Sequence, residues 1–441
     1  MFALIVPFGL LAISVAAPVA AAEDAPGTDA ESIATTEGAP TTEPIREPGD
    51  RVLGVSVSYE DHALRFEAAD GNFGAQVQHR LQFRYAWPFD ADPRSFEDLD
   101  EETSSFMVRR ARFKLQGHAF RPWLAWYLQY DWSQPVLRDF SVEVSRLPWL
   151  RVLVGRRKVF YNDERVTSSG KQQFVNRSIV NDIFTIDRQQ GIQIYGRLFP
   201  GSLADMTYFV GVFSGRGVGE RFNDDLRMMY AGRLQWNALG DEMEFSQSDV
   251  ENHPEPAVSL AFGAATNTSE CTAYETDQRS CRELPVARSD GTPYGDPSES
   301  GAVRAGQYRL DQLVLEFRAK WRGVYAKHEF HIKRVRDRTL PQGAPGRETD
   351  LRGSLSQLGF FPHELISAIP EPLEIAGRFA HVDPAVGVGG DLQTESSGVL
   401  NWFFSGHSNK LSLEGSWLTA SEPFSPRRGQ TRVRLQWDVS F

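Results

Sequence analysis

The last ten residues alternate strictly between apolar and polar side chains, and this alternation constrains the fold more than any other feature. The apolar positions are Val433, Leu435, Trp437, Val439 and Phe441, and the polar positions are Arg432, Arg434, Gln436, Asp438 and Ser440. A period of two is the geometry of a β-strand, because a helix would mix both sets around its surface. A strand of about eleven residues, tilted near 45°, spans roughly the 25 Å apolar band of an outer-membrane barrel. The segment is therefore predicted to cross a membrane as a strand.

The same alternation recurs along the chain from residue 72 onwards. It marks sixteen segments, which are 72–88, 106–120, 123–133, 137–146, 149–156, 188–199, 203–213, 226–237, 257–267, 308–321, 322–334, 353–362, 372–382, 396–405, 409–419 and 430–441. Short links mostly alternate with longer polar ones, as periplasmic turns alternate with outer loops in bacterial barrels, although the stretch 238–256 is long for a turn. Trp and Tyr gather near strand ends, as in aromatic girdles, with ordinary core packing as the alternative. We therefore predict an all-β fold, a transmembrane antiparallel β-barrel of sixteen strands.

The N-terminal residues predict export. Residues 1–22 form an apolar run that ends in three Ala, which is typical of a secretory signal peptide, although no Lys or Arg precedes the run and an uncleaved anchor is the alternative. Residues 23–51 contain eight acids against two Arg and little that could be buried, so they predict a flexible acidic leader. Residues 52–441 are then the barrel domain. Export without an apolar helix is consistent with a periplasmic or secreted protein too, but the strand pattern favours the bacterial outer membrane.

Composition excludes several classes of protein. A formal net charge of -11 argues against a nucleic-acid partner held by a basic surface. Two Cys in 441 residues exclude a disulfide-rich scaffold and a four-thiolate metal site within one chain. Cys271 and Cys281 are expected to pair in an oxidising compartment. His328 and His331 lie three residues apart on a predicted strand and so point to opposite faces, which does not favour a metal site. No catalytic residues and no cofactor are predicted.

The polar face of the predicted wall is rich in cations. Strand parity places seventeen of them inward: Arg80, Arg84, Arg110, Arg112, Lys114, Arg151, Arg197, Arg227, Arg233, Arg318, Lys320, Lys327, Lys333, Arg378, Lys410, Arg432 and Arg434. The seven inward acids are Asp131, Glu143, Glu316, Glu329, Glu374, Glu414 and Asp438. Rings of Arg and Lys in a confined channel favour anions. The alternative is that these cations pair with acids and merely hold the wall together.

Two connections stand out. The stretch 157–187 is too long for a plain hairpin loop, and it carries Arg157, Lys158, Arg165, Lys171 and Arg177 with the hydroxyls of Thr167, Ser168 and Ser169. Long ordered loops are usually functional, so this one is expected to fold into the lumen and narrow it, with an external loop as the alternative. The acidic loop 89–105 is expected to be a solvated tip, or a surface site for divalent cations.

Several runs resemble the phosphate-selective porin O and P family over roughly residues 72–441. They are RRARFKLQGHAF, WLAWYLQYDW, VGRRKVFYNDERVTSSGKQQFVNRSIV, DRQQGIQIYGRL, LSQLGFFP and VLNWFFSGHSNKLSLEGSW, together with the final aromatic residue. The resemblance implies a homotrimeric, sixteen-stranded anion channel in outer-membrane lipid, whose inner loop between the fifth and sixth strands forms the constriction. It also implies that Phe441 is part of the signal read by the barrel-insertion machinery.

We therefore predict a water-filled, anion-preferring diffusion channel for inorganic anions, with phosphate or polyphosphate among the candidates. The residues assigned to the anion pathway are Arg80, Arg84, Arg110, Arg112, Lys114, Arg151, Lys158, Arg165, Lys171, Arg177, Arg318 and Lys320. The alternatives are an outer-membrane barrel with an adhesive or structural role and, less favoured, a barrel phospholipase.

Overall fold

The computed structural model describes residues 54–218, 222–274, 281–420 and 426–441. The predicted signal peptide and acidic leader lie outside the described residues. Twenty strands are described, which in chain order are β1 Val55–Glu60, β2 Ala63–Ala68, β3 Phe73–Trp87, β4 Ser105–Ala119, β5 Arg121–Asp131, β6 Val136–Leu147, β7 Leu150–Lys158, β8 Arg188–Leu198, β9 Met206–Phe213, β10 Met229–Leu239, β11 Ala257–Ser269, β12 Ala273–Tyr274, β13 Cys281–Arg282, β14 Tyr308–Trp321, β15 Val324–Asp337, β16 Glu348–Phe360, β17 Leu373–Asp383, β18 Gln393–Ser405, β19 Asn409–Ala420 and β20 Arg428–Ser440.

Sixteen of these strands form the wall of a closed antiparallel barrel: β3–β11 and β14–β20. Each wall strand pairs with the next, and β20 closes the barrel on β3 with a register that runs from Val433 opposite Trp87 to Ser440 opposite Arg80. The prediction of a sixteen-stranded barrel is confirmed, since every predicted segment coincides with one wall strand. The largest difference in a boundary is at β16, which begins at Glu348 and not at residue 353.

The strands β1 and β2 form an additional hairpin that the sequence analysis missed. Strand β2 pairs with residues 74–77 of β3, on the same edge that β20 occupies from residue 80 to residue 87. The hairpin therefore extends the wall beyond the end of β20. Its six-residue strands alternate as wall strands do, but they are too short to span a bilayer, and a search for membrane-length strands passes over them.

The two faces of the wall differ in composition. Outward side chains are mostly apolar and exposed, and they include the predicted girdle residues Tyr85, Trp87, Trp149, Trp236 and Trp321. Most inward polar side chains are buried against material inside the barrel. A few outward polar groups interrupt the apolar face on β15–β17, where His328 bonds Ser356 at 2.9 Å and Ser354 bonds His381 at 3.1 Å. The wall is a single layer of strands, whose apolar side chains face the lipid and whose polar side chains mostly face the interior.

Helical structure is short. The α-helices are α1 Phe96–Asp100, α2 Asp163–Val166 and α3 Ile179–Phe184, and a 3-10 turn covers Pro362–Glu364. Among the described residues no helix has both the length and the apolar character needed to cross a membrane.

The interior of the barrel is partly apolar, which the predicted polar inner face did not anticipate. Buried apolar side chains from β14–β17 pack against apolar residues of three connections, which follow β3, β7 and β11. The wall contributes Leu310, Val314, Val335, Leu351, Leu355, Ala380 and Val382, and the connections contribute Phe89, Leu99, Ile183, Phe184, Cys271, Tyr274 and Leu284. Because these connections enter the barrel, inward apolar residues on the wall are covered by protein and not by water.

Candidate functional site in the barrel interior

The long connection between β7 and β8, residues 159–187, is here called the inner loop. Nearly all of its residues are buried, including the whole of α2 and most of α3. A loop lying outside the barrel would expose most of its side chains to water. The burial therefore favours the inward position that its length and charge predicted.

Carboxylates on the wall bind the first part of the inner loop. Glu329 on β15 accepts hydrogen bonds from the backbone N–H of Glu164 at 2.7 Å and from Asn162 Nδ2 at 3.0 Å. Glu316 on β14 accepts a short hydrogen bond from the backbone N–H of Asp163. Hydrogen bonds to charged acceptors are stronger than neutral ones, so α2 is fixed against these two strands.

The second part of the inner loop is bound in the same way by β17–β19. Glu374 accepts from Gln173 Nε2 at 2.6 Å. Glu414 accepts from the backbone N–H of Val175 at 2.9 Å, and Glu395 accepts from that of Ile179 at 3.0 Å. Five wall glutamates thus hold the loop, and the parity count, which treated four of them as pore-lining acids, misreads their role.

Guanidinium groups on β3 and β4 bind the turn of the inner loop. Arg80 donates to Ser168 Oγ at 2.7 Å, and Arg112 donates to Ser169 Oγ at 3.1 Å. Arg84 donates to the carbonyl oxygen of Val175 at 3.0 Å. Of the three hydroxyls noted in this loop, those of Ser168 and Ser169 thus accept hydrogen bonds from the wall.

The connection between β10 and β11, residues 240–256, is a second segment inside the barrel and is here called the inner turn. Its Gln247 donates through the backbone N–H to the carbonyl oxygen of Lys171 at 2.9 Å and accepts from the backbone N–H of Gln173 at 2.9 Å. Lys171 also pairs with Glu244 at 2.9 Å. The only sequence signal for this contact was the unusual length of the turn.

The acidic loop after β3 also turns inward, which corrects the expectation of a solvated tip for two of its residues. Asp90 pairs with Arg84 at 2.8 Å, and Asp92 pairs with Arg432 at 2.8 Å. Burial opposes the ionisation of Asp90, but Arg84, Arg434 and Arg109 hold its pKa below the ordinary value. Asp100 remains exposed, in an ion pair with Arg428.

A β-bulge adds a cation to the interior that parity did not assign. Gln82 pairs with Arg110 and Phe83 with Val108, so Arg109 is an extra residue in β4. Arg109 lies 3.8 Å from Asp90 and, with Arg110, lines a cavity of about 410 Å³ between the loops at the outer end. A bulge shifts the alternation by one residue, so side chains on either side of it can share a face.

Positive charge is concentrated on one side of the interior. On β4–β8 the cations that are buried or largely buried are Arg109, Arg110, Arg112, Lys114, Arg138, Arg151, Arg157, Lys158, Arg188 and Arg197, and the acids are Asp131, Asp139 and Glu143. On β14–β20 the buried cations are Arg318, Lys320, Lys327, Lys333, Arg378, Lys410, Arg432 and Arg434, and the acids are Glu316, Glu329, Asp337, Glu374, Glu395, Glu414 and Asp438. Counted on strand residues, the second wall is nearly balanced, whereas the first has an excess of cations, of which Arg188 and Arg197 also pair with Asp187 and Asp205 in adjoining connections.

The predicted pathway residues divide between these two sides. Arg318 pairs with Asp163 at 2.8 Å and Lys320 with Glu251 at 3.3 Å, so both hold inserted segments on the balanced side. The other predicted residues on the wall contact wall residues: Arg80 lies 3.8 Å from Asp438, Arg110 2.7 Å from Gln82, Arg112 3.0 Å from Asp131 and Arg151 3.9 Å from Glu143. Those in or next to the inner loop bond within it: Lys158 donates to the Val166 carbonyl at 2.9 Å, Arg165 pairs with Asp187, and Arg177 donates to the Glu164 carbonyl at 2.8 Å. Lys114 is buried on β4, where its register partners are Gln78 on β3 and Gln129 on β5.

The parity count of inward charges needs three corrections. Arg227 lies before β10 begins, is exposed and pairs with Asp225, so it does not face the interior. Asp139 and Glu395 are buried acids that the count missed: Asp139 has the parity of the inward Glu143, and Glu395 lies one residue before the predicted strand 396–405. The excess of inward cations is not reduced, since buried cations such as Arg138 and Arg188 were missing from the count as well.

Potential metal ligands come together in the inner turn. Among the described residues, Asp249, Glu251 and His253 place their ligand atoms within 4.8 Å of one another. His253 already pairs with Asp249, and Lys320 lies against Glu251. His328 and His331 lie on opposite faces of β15, as expected, with His331 bonded to Glu329 inside the barrel at 2.9 Å.

The outer loop between β11 and β14 contains the two cysteines, and a disulfide joins Cys271 to Cys281. The short pair of strands β12 and β13 begins next to it, and Lys333 of the wall donates to the Thr272 carbonyl at 2.7 Å and to the Ile183 carbonyl at 2.9 Å. The neighbouring Arg282 lines the same outer cavity as Arg110 and Arg177. The disulfide therefore fixes a part of the loop that reaches the inner loop.

Comparison with known proteins agrees with the fold. The sequence model described as phosphate-selective porin O and P matches residues 43–255. The chain is an outer-membrane porin. The match includes β3–β10, the inner loop and most of the inner turn, and it confirms the resemblance that the sequence motifs indicated. It also indicates a channel and not an enzyme, in agreement with the sequence analysis.

Solved structures share the architecture of this porin at low sequence identity. A trimer form of OmpT, an outer membrane protein of Vibrio cholerae, has 8% identity, covers 84% of this chain and 99% of its own, and gives a TM-score of 0.51. An anion-selective porin from Comamonas acidovorans has 10% identity, covers 84% of this chain and 100% of its own, and gives a TM-score of 0.47. No curated protein sequence matches the chain significantly.

Proposed function

We propose that this porin is an anion-preferring diffusion channel whose path runs between the inner loop and strands β4–β8. The observation that supports this proposal is the excess of cations on β4–β8, opposite a wall whose cations pair with its own glutamates and with the inserted segments. A confined passage with net positive walls attracts anions and raises their local concentration. The inner loop acts as the constriction: the glutamates of the balanced side hold most of it, and the Arg112–Ser169 hydrogen bond brings its turn against the cationic strand β4.

Three cations on β4 provide the central part of this path. Arg110, Arg112 and Lys114 are successive inward residues of one strand, so neighbouring side chains are roughly 7 Å apart. Their fields overlap within a Debye length of about 8 Å at physiological salt. An anion that leaves one of these groups is already attracted by the next, which favours passage over retention.

The cavity at the outer end is where the path begins. It is lined by Arg94, Arg109, Arg110, Arg177 and Arg282, together with amide side chains such as Asn176. Asp90, Asp92 and Asp182 line it as well, so arginines outnumber acids. Guanidinium groups bind oxyanions through paired hydrogen bonds, which makes inorganic anions the solute class, with phosphate and polyphosphate as the candidates to test first.

We further propose that the chain assembles as a homotrimer through the barrel-insertion machinery. The family match supports trimeric assembly, and the OmpT structure of the same fold is a trimer form. Native mass spectrometry of the detergent-extracted protein should give a mass of three chains. A monomer that conducts with full anion preference would contradict this part of the proposal.

The channel proposal is tested by single-channel recording in planar bilayers under a salt gradient. Replacing Arg110, Arg112 and Lys114 with Glu should move the zero-current potential toward cation preference, and the shift should be larger at low salt because screening weakens it. The matched control replaces three exposed arginines, Arg121, Arg146 and Arg427, with Glu, which changes net charge equally but outside the interior. An unmodified protein that prefers cations, or an equal shift in the control, would refute the proposed path.

A further inference from the structure

A large groove lies on the outward face of the wall, across strands β8–β16. Its volume is about 1060 Å³. Small residues, Gly211, Gly232 and Ala264, form its floor, and larger apolar residues border them, among them Leu313 and Ile332. Most outward wall residues elsewhere are large and apolar, so this sector is recessed where a flat surface would face lipid tails. A recessed apolar surface has room for more than the edge of a passing acyl chain.

Strand register shows that the groove is one continuous outward row. Pairing places Ile194 beside Val210, Val210 beside Gly232, Gly232 beside Ala264, Ala264 beside Leu313, Leu313 beside Ile332, and Ile332 beside Arg352. Counted along each strand from its periplasmic end, Ile194 is the fourth residue from Leu198, whereas Arg352 is the eighth from Phe360. The row therefore rises from an apolar lower end toward a charged upper end.

The upper end of the groove carries five charged residues, Asp311, Arg334, Arg336, Asp350 and Arg352, of which three are arginines. Arg334 forms a forked pair with Asp350 at 2.6 and 2.9 Å and stays 46% exposed, and Arg336 pairs with Glu348 at 2.7 Å. Arg352 has Asp383 as its register partner on β17, yet within the described part of the chain it forms no ion pair. An exposed guanidinium without a carboxylate partner stands directly at the end of the apolar row.

This charged end lies near the outer surface of the membrane. Strands β14 and β16 begin, and β15 ends, at the long polar loops that mark the outer side of the barrel, and Asp311, Arg334 and Asp350 lie within three residues of those strand ends. The apolar part of the groove therefore lies at the depth of acyl chains in the outer leaflet, and the arginines lie at the depth of headgroups.

We propose that this groove binds a phosphorylated, multiply acylated glycolipid of the outer leaflet. A headgroup phosphate is held by Arg352, with Arg334 beside it in its pair with Asp350, and acyl chains lie along the floor at Gly232 and Ala264. Two features carry the assignment together: the recessed floor gives space to ordered chains, and a guanidinium fork offers two parallel donors to a phosphate. Neither the anion path nor its preference is involved, because the groove and the interior are on opposite faces of the wall.

The experiment uses native mass spectrometry of the full chain in detergent, titrated with diphosphorylated hexa-acyl lipid A. One variant combines Arg334→Ala with Arg352→Ala, and a second is Gly232→Leu, which fills the floor. A Cβ at residue 232 would meet the Phe209 carbonyl at 3.4 Å and Val210 at 3.7 Å, so the larger side chain is accommodated. Each variant should bind lipid A about tenfold more weakly than the unmodified protein.

The matched controls make the same kinds of substitution at positions outside the groove. Gly398→Leu adds the same side chain to another outward position, where a Cβ meets nothing within 4 Å, and Arg121→Ala with Arg146→Ala removes two exposed arginines far from the groove. Both controls should bind lipid A as the unmodified protein does. The unmodified protein should bind lipid A without phosphates about tenfold more weakly than diphosphorylated lipid A. This comparison does not depend on the folding of any variant.

Three results would overturn the proposal. Equal binding of lipid A by the variants and the controls places the lipid elsewhere. Equal binding of phosphatidylethanolamine and lipid A removes the specificity for a phosphorylated glycolipid. Loss of the oligomer on Gly232→Leu, without loss in Gly398→Leu, shows that a second copy of the chain covers the groove.

Discussion

Glu329 on β15 accepts a hydrogen bond from the backbone N–H of Glu164 in the inner loop, at 2.7 Å. The same carboxylate accepts from Asn162 and His331 and pairs with Lys327 at 3.0 Å. Backbone donors of a loop have no fixed partner unless the wall supplies one. A single wall carboxylate therefore both pairs with a cation on β15 and holds the inner loop, the segment proposed as the constriction.

The first prediction concerns this link. Glu329→Gln removes the charge but keeps the size, so the charge-assisted bonds to Glu164 and Asn162 weaken. The inner loop should become less well fixed, and single-channel traces should show more open-channel noise and additional subconductance states. Glu348→Gln on the outward face is the control, because the carboxylate of Glu348 pairs with Arg336 there and not with the inner loop. Identical noise in the two variants would mean that the loop does not depend on Glu329.

The second prediction tests the constriction directly. Removing residues 160–182 should raise conductance by about twofold or more, since the narrowest part of the path widens. The wall should still fold, because its backbone hydrogen bonds close between strands without this segment. Deletion of 341–345, a mostly exposed outer loop, is the control and should leave conductance unchanged. A folded deletion of 160–182 with normal conductance would show that the loop does not limit flow.

The wall could be predicted from the sequence, whereas the contents of the barrel could not. Strand β14 occupies Tyr308–Trp321, the same residues that its alternation marked, because lipid on one face and protein on the other impose a period of two. Glu329 and Glu414 were assigned to the correct face for the same reason. Their partners are backbone N–H groups of the inner loop, which leave no trace in side-chain periodicity, so their role as loop ligands had no sequence signal.

Irregularities in the wall account for most of the remaining differences. Arg109 was not assigned to the interior because a β-bulge beside Gln82 shifts the phase of β4. Arg227 was assigned to the interior because the predicted strand begins at residue 226, whereas β10 begins at Met229. The inner turn was noticed only for its length, since nothing in residues 240–256 indicates that Gln247 contacts Lys171. Local pattern predicts the repeating wall, and long-range contacts decide what lies inside it.

The third prediction concerns the outer loop. Cys271 and Cys281 close a short ring, so their disulfide should stabilise the loop only modestly and the strands of the wall less than the loop. Thiol labelling of unreduced, denatured protein should find no free Cys, and two labels per chain would contradict the pairing. Replacing both with Ser should speed proteolysis within the loop while the barrel keeps its heat-resistant mobility on gels.

The fourth prediction is a pH dependence that arises in the inner turn. Burial raises the pKa of Glu242 to about 7, despite a hydrogen bond from Thr207 and the nearby Arg197. An acid whose pKa is raised on folding stabilises the fold at low pH, and this contribution is lost as pH rises from about 4.5 through 7, by at most about 3 kcal/mol.

Thermal unfolding at pH 5 and pH 8 tests this statement. The unmodified protein should lose more stability between the two values than Glu242→Gln, which cannot ionise. Glu244→Gln is the control in the same turn, because Glu244 is 58% exposed at its side chain. An equal loss of stability in all three proteins would remove Glu242 as the cause.

The last prediction concerns Phe441. Its backbone N–H donates to the His79 carbonyl at 3.0 Å and its carbonyl accepts from the His79 N–H at 2.7 Å, so it forms the final pairing of β20 with β3. Its ring stacks on that of His79 with centroids 5.9 Å apart and stays half exposed at the lipid-facing surface. An exposed ring contributes less to stability than a buried one, which favours a role in assembly over a role in holding the finished barrel. Deleting Phe441 should therefore lower the amount of inserted protein at high expression, while Phe441→Tyr should not, and the purified deletion should unfold at nearly the same temperature as the unmodified protein. A deletion that inserts normally would contradict the assembly role, and one that inserts normally but melts early would assign Phe441 to stability.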